Sequence, residues 1–411
     1  MPTGPEIRPL TGDDGEAADA LAAEAFGAAP RPLPDPWPAP GTRPWGAFHG
    51  RELAALATVR EFGSWFGGAM VPTAGIASVA VRPEYRGSGL LAPLFAALLA
   101  DARAHGEVVS GLYPTAPGIY RRLGYEIVGE LADVELPVAP LTRIPAPPGV
   151  VLRRADGSDA ALHQAVYDRW AAAQNGPLTR RGPHQRPFDG HDTVTLALDA
   201  EGEPVGYAAW GRTDGYQGGA ATLTVNELIA LSGPAAAALW RMFGGFASIA
   251  GTVRLRTSGA DPARLALPAA PWRPVRQWPY GLRLLDVAGA FSARGGAPLD
   301  VTLPFRVTGD GLDGSYRLTA LPRCARSHAS RSAVTPVPSL RSLTASNGAL
   351  TCEPAADGGP VFTGRGLALA YAGVQSCANL RFAGLLSGPE TDDARWDAVL
   401  GGRQFHIRNY Y

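Results

Sequence analysis

The apolar and polar positions of this chain change period several times, and each change predicts an element. IRPL at 7–10 alternates and reads as a strand. TGDDGEAADALAAEAFG at 11–27 reads as a helix, with Asp13 or Asp14 as cap and an alanine-rich interior. Residues 30–45, PRPLPDPWPAPGTRPW, hold too much proline for a helix or a central strand and read as an extended loop. Strands are expected at 51–60 and 69–82, an apolar helix at 90–104, a short strand at 107–112, a short helix at 115–123 and more strand from Tyr125 to Val138. The order is β-α-β-β-β-α-β-α-β, a mixed α/β pattern.

Prolines at 137–150 mark a linker, after which the pattern restarts. Residues 151–173 give a strand and a helix, EPVGYAAWGR and LTVNELIAL two strands, and GPAAAALWRMFGGFASIA a helix. This is a weak internal repeat that lacks a glycine-rich turn between strand and helix. After Ala293 the chain turns strand-rich, with VTLPFRV, GSYRLTAL and PVFTGRGLALAYAG, and helical turns only at 376–386 and 391–400. That predicts an α+β region. The expected domains are 1–136, 150–286 and 287–411, each with its own core.

The length of 411 residues agrees with two or three domains. Lys+Arg and Asp+Glu are both 37, so no net positive field is available for a polyanion, which argues against nucleic-acid binding. Cys324, Cys352 and Cys377 suit neither a disulfide framework nor a zinc site. His105, His163, His184, His328 and His406 are scattered without metal-ligand spacing, so no metal is expected. The N-terminus lacks a signal-peptide pattern and no apolar run is long enough for a bilayer, which predicts a cytoplasmic protein without membrane contact.

The chemistry concentrates in Val79-Ala80-Val81-Arg82-Pro83-Glu84-Tyr85-Arg86-Gly87-Ser88-Gly89-Leu90-Leu91. An apolar strand runs into a tight turn that opens an apolar helix. Gly87 and Gly89 allow close approach and positive φ, the free N–H groups converge, and the helix dipole and Arg86 add positive field. Together these make a pyrophosphate cradle. A plain glycine turn would look the same in isolation. The position after several strands disfavours a dinucleotide-binding first turn, and the Gly-Lys of a P-loop is absent. Tyr120 follows in GIYRRLGY, where ordinary aromatic packing competes with a chemical role. Ser78, Ser110 and the cysteines lack a nucleophile elbow, and Arg180-Arg181 reads as a solvated pair.

The stretch VAVRPEYRGSGLLAPLF resembles the coenzyme A signature of the GNAT acetyltransferases, and GIYRRLGY resembles their C-terminal signature. VPTAGIASVAVRPEYRGSGLL, NELIALSGPAAAALWRMFGGF and GLRLLDVAGAFSAR are similar to the Eis (enhanced intracellular survival) group. The resemblance implies tandem GNAT domains, the second degenerate, followed by a sterol-carrier-like domain. It implies acetyl-CoA as donor and direct transfer of acetyl to a primary amine of aminoglycoside, polyamine or lysine type. Arg86, Gly87, Ser88, Gly89, Leu90 and Leu91 would hold the pyrophosphate, and Val79 and Val81 the pantetheine amides. Tyr120 would protonate the leaving thiolate, and the C-terminal carboxylate of Tyr411 would serve as base. Asp35 and Trp37 are candidates for the acceptor amine, although loop packing explains them as well. A homo-oligomer, by resemblance a hexamer, is expected. The competing reading is a non-catalytic scaffold built on a relic GNAT domain.

Overall fold

The computed structural model describes residues 4–27, 32–184, 193–215, 219–267, 272–322, 348–356 and 358–411. The first part runs β1 (Glu6–Pro9), α1 (Gly15–Phe26), β2 (Thr42–His49), β3 (Glu52–Phe66), β4 (Ala69–Val81), α2 (Leu91–Ala104), β5 (Val109–Leu112), α3 (Pro117–Arg121) and β6 (Glu126–Pro137). This matches the order expected from the sequence. β2 differs, because it takes in Thr42–Trp45 of the proline-rich loop. Pro44 is tolerated there because β1 pairs only as far as Pro9↔Trp45, and Leu10 N–H bonds the Pro44 carbonyl just beyond.

The second part has β7 (Val151–Arg154), α4 (Ala160–Ala172), β8 (Thr193–Leu198), β9 (Pro204–Arg212), β10 (Ala221–Ala230), α5 (Gly233–Gly244), β11 (Ala250–Ser258), α6 (Ala263–Ala266) and β12 (Arg273–Leu284). The third has α7 (Val287–Ala293), β13 (Gly295–Gly296), β14 (Val301–Thr308), β15 (Gly314–Leu321), β16 (Gly348–Pro354), β17 (Val361–Thr363), α8 (Gly364–Ala372), α9 (Cys377–Phe382), β18 (Leu386–Ser387) and α10 (Asp393–Leu400). The apolar run 364–372, expected as strand, is helix α8, started by Thr363, whose hydroxyl accepts from the Gly366 N–H.

The first two parts share one twelve-stranded mixed sheet, ordered β1-β2-β3-β4-β5-β12-β6-β11-β10-β9-β8-β7. The two halves exchange strands. β12 of the second half pairs with β5 through Gly281–Leu284 and with β6 along most of its length, while β6 continues onto β11. The third part carries its own six-stranded sheet. The expected cores are only partly separate: clusters around Leu94 and around Leu239 belong to the first and second halves, but one buried cluster runs from Val71, Val109 and Leu131 through Tyr280 to Phe305 and Trp396.

Arg180 is not solvated, as the sequence suggested. It is half-buried, donates to Glu227 at 2.5 and 2.7 Å, and lies over the Tyr167 ring. Arg181 alone is exposed, bonded to Asp168. Glu227 also accepts from the Tyr207 hydroxyl. It follows a register shift in β10, just past the point where β10 and β11 stop pairing at Val225↔Leu255. In the second half, then, the divergence of the two parallel strands is filled by a buried ion pair.

Candidate active site

In the first half the same divergence is open. β4 and β5 run parallel from Thr73↔Val109 to Ile76↔Leu112 and then part. Just beyond, β4 bulges against β3, with Leu56↔Ala80 followed by Thr58↔Ala77, and Ser78 takes φ 52. The bulge bends the strand away and leaves the backbone edge of 77–81 unpaired on the β5 side. A cavity of about 220 Å³ sits in the opening. Its walls include Arg60, Ser78, Val79, Tyr113, Tyr120 and Tyr411.

Tyr120 reaches the cavity from α3, which begins at Pro117 and ends before Gly124, a glycine at φ 82. Its ring packs edge-on against Phe95 (5.9 Å) and Tyr125 (6.4 Å). Burial raises its pKa, so the phenol keeps its proton at neutral pH. Tyr411 comes from the far end of the chain. The terminal segment is tied down on the way: His406 N–H bonds Asn175 O (2.8 Å), Ile407 N–H bonds Ser258 Oγ (3.2 Å), and the Tyr113 hydroxyl donates to Asn409 O (2.7 Å). The Tyr411 ring then meets Phe62 at 4.8 Å, and burial pushes its phenol pKa well up.

Val81 and the turn from Arg86 to Leu91 continue from this strand, outside the cavity wall. Arg86 to Gly89 are exposed, with Gly87 at φ 82 and Gly89 at φ 84, while Leu90 is buried. No atom lies within 4 Å of where a Cβ would stand on either glycine. Among the described residues the N–H groups of Gly87, Gly89 and Leu90 bond nothing, and α2 begins at Leu91. An open run of N–H groups at the positive end of a fourteen-residue helix fits a pyrophosphate, and the unpaired β4 edge fits an amide chain. The corresponding turn in the second half is closed by the Ser232 hydroxyl, which accepts from the Ala235 N–H.

Two candidates lie elsewhere. Trp37 packs beside Gly15 of α1, in the cluster of Leu10 and Leu21, and Asp35 is exposed in the same loop; neither lines the cavity. The loop is held against α1 by apolar contact, which turns the indole inward. Sequence reasoning missed Arg60 and Tyr113. Arg60 shows in the sequence as the charge that closes the stretch ALATV, and Tyr113 as the residue that follows β5. Cys352 and Cys377 are buried thiols away from the cavity, and Cys324 and His328 lie outside the described residues. Among the described residues there is no group of three or more His, Cys, Asp or Glu side chains suited to a metal, and no helix is long and apolar enough to cross a membrane.

Residues 6–128 match the family described as Acetyltransferase (GNAT) domain, and residues 165–284 match a second family of that description. An uncharacterized N-acetyltransferase of Streptomyces avermitilis is 30% identical over 275 residues, 60% of this chain and 67% of that one. The N-acetyltransferase Eis of Mycobacterium tuberculosis is 30% identical over 276 residues, 61% of this chain and 64% of Eis, so this chain spans just under two thirds of that relative's length. The crystal structure of a GCN5-related N-acetyltransferase from Kribbella flavida superposes with a TM-score of 0.76 at 28% identity, covering 99% of each chain. With two GNAT halves in one sheet and relatives of this kind, the chain belongs to the GNAT N-acetyltransferases and is similar to Eis.

Proposed function

We propose that the first half transfers acetyl from acetyl-CoA to a primary amine by direct attack. The observation that carries this reading is the meeting of Tyr120, the open β4 edge and Tyr411 at one cavity. Arg86 to Leu91 hold the pyrophosphate on backbone N–H groups, and Val79 and Val81 hold the pantetheine amides. Bound acetyl-CoA supplies a thioester carbonyl carbon as electrophile. The acceptor nitrogen forms the C–N bond there while the C–S bond breaks. Tyr120 gives its hydroxyl proton to the departing sulfur, and the proton lost by nitrogen passes to the Tyr411 carboxylate, directly or through water. An α-carboxyl in water titrates near 3.3–3.7, so this role needs a site that raises it.

We take 1–136 as the catalytic domain, 150–286 as its degenerate copy and 287–411 as a sterol-carrier-like domain that serves assembly into a homo-oligomer, a hexamer, in the cytoplasm. The direct test is thiol release from acetyl-CoA against a panel of polyamines, aminoglycosides, amino acids and lysine peptides. Release that depends on an amine and yields its acetyl derivative is expected; no amine-dependent release from folded protein overturns the reading.

A further inference from the structure

The cavity contains one charge that the transfer chemistry does not use. Arg60 points into it from β3, and its Nε is buried without a hydrogen-bond partner. Among the described residues no carboxylate pairs with its guanidinium. The nearest acid in sequence, Glu61, is already bonded to Arg43, which also holds Asp101 and Glu107. No Asp or Glu side chain lines the cavity among the described residues. The remaining wall is part aromatic, with Phe26, Tyr113, Tyr410 and Tyr411, and part aliphatic, with Ile76 and Leu112. Burial pushes the Arg60 pKa down, with Tyr411 opposing.

We propose that Arg60 binds a carboxylate on the acceptor, so that the enzyme acetylates a small amino acid with an apolar or aromatic body rather than a polycation. This rests on the acetyl-transfer reading above. Three observations favour it. A guanidinium fork matches a carboxylate in two parallel hydrogen bonds, and a half-buried cation in the cavity repels an acceptor that brings several positive charges. The aromatic walls offer faces to an apolar side chain. The volume, about 220 Å³, falls below the ~300–1,000 Å³ of sites for drug-sized ligands, which favours a small acceptor.

The test uses the full chain and thiol release, with matched pairs that differ by the carboxylate: phenylalanine and 2-phenylethylamine, tryptophan and tryptamine, leucine and 3-methylbutylamine. Spermidine stands as the polycation. The expected result is a kcat/KM about tenfold or more higher for the amino acid in at least one pair, with spermidine slower than that amino acid. In Arg60→Gln the preference should collapse by roughly 10–100-fold, mostly through KM for the amino acid. Equal loss for both members of a pair would mean that Arg60 serves the Tyr411 carboxylate or the fold, and would overturn the proposal. So would faster turnover of spermidine or of the decarboxylated amines in the wild type, with acetyl transfer itself still standing. Silence toward every amine would overturn acetyl transfer and this inference with it. Should Arg60→Gln fail to fold, competition in the wild type decides. 3-Phenylpropanoate should inhibit at tenfold lower concentration than 3-phenylpropanol, and equal inhibition would overturn the assignment.

Discussion

The hydroxyls of Tyr280 and Tyr411 meet at 3.2 Å, in space left by two glycines that face each other across the sheet. Gly75 on β4 and Gly111 on β5 are register partners. A Cβ on Gly75 would press on the rings of Phe62 and Tyr411, and a Cβ on Gly111 would collide with the Tyr280 hydroxyl. Gly111→Ala should therefore displace both tyrosines. We expect a loss of about 1–3 kcal/mol in urea unfolding and a lower turnover. Wild-type turnover in the folded variant would show that this contact is idle in the site.

Tyr120→Phe keeps the ring against Phe95 and Tyr125 and removes only the hydroxyl. Turnover should fall by ~10²–10⁴-fold, while calorimetry finds acetyl-CoA binding unchanged. Turnover within a factor of two of wild type would take Tyr120 out of the mechanism.

Gly89 tests the cradle. Asp and Asn both tolerate its φ of 84 better than other side chains, and neither meets a protein atom there. Gly89→Asp sets a carboxylate against a pyrophosphate and should abolish acetyl-CoA binding, while Gly89→Asn should weaken it less. Equal affinities for the two variants would mean that charge at this turn does not matter.

Residues added after Tyr411 convert its carboxylate into a neutral amide and push bulk into the cavity. Turnover should fall while the thermal midpoint stays close to that of the unextended protein. Equal rates at equal folded concentration would assign the base to another group.

His406 gives the terminal segment a pH dependence. Burial, with help from Arg408 and against the pull of Asp261, holds its pKa down to about 4, below the free value of 6.5. The unfolded chain therefore binds a proton that the native state refuses. The contribution is complete above pH 6.5 and is lost as pH falls from 6.5 toward 4. Urea midpoints should reveal a loss on the order of 2 kcal/mol between pH 7 and pH 5. His406→Gln should flatten that interval, and an unchanged slope in the variant would assign the loss to other groups.

The first half was legible because its signals are local. Alternation, an alanine-rich helix and paired glycines at 87 and 89 each lie within a few residues of one another, and they marked β1, α1, β3 to β6 and the open turn before α2, while the proline-rich start of β2 read as loop. Asp35 and Trp37 lie away from the cavity, a placement the sequence does not reveal because a loop's charge and aromatics look alike whether they face a ligand or pack, and here Gly15 leaves room for the indole. Arg180 was misread because its partner Glu227 is 47 residues away. β12 was unreadable for a similar reason. RPVRQWPYGLRL carries two prolines and three arginines, yet it is a strand because β5 and β6 flank it from more than a hundred residues earlier. Its prolines, Pro274 and Pro279, both precede Gly281, where pairing with β5 begins.

That placement of β12 sets an order of assembly on the ribosome. β5 and β6 emerge early, but neither can join the other until Arg273–Leu284 has been made and threaded between them. An N-terminal half released before that point has two unpaired strand edges at the middle of its sheet, flanked by apolar residues such as Val109, Leu112, Val128 and Leu131. Contacts of this sequence separation slow folding and leave edges open to other chains. The N-terminal half is therefore not an excisable unit, and a shortened version for expression would have to retain β12 or supply a strand in its place.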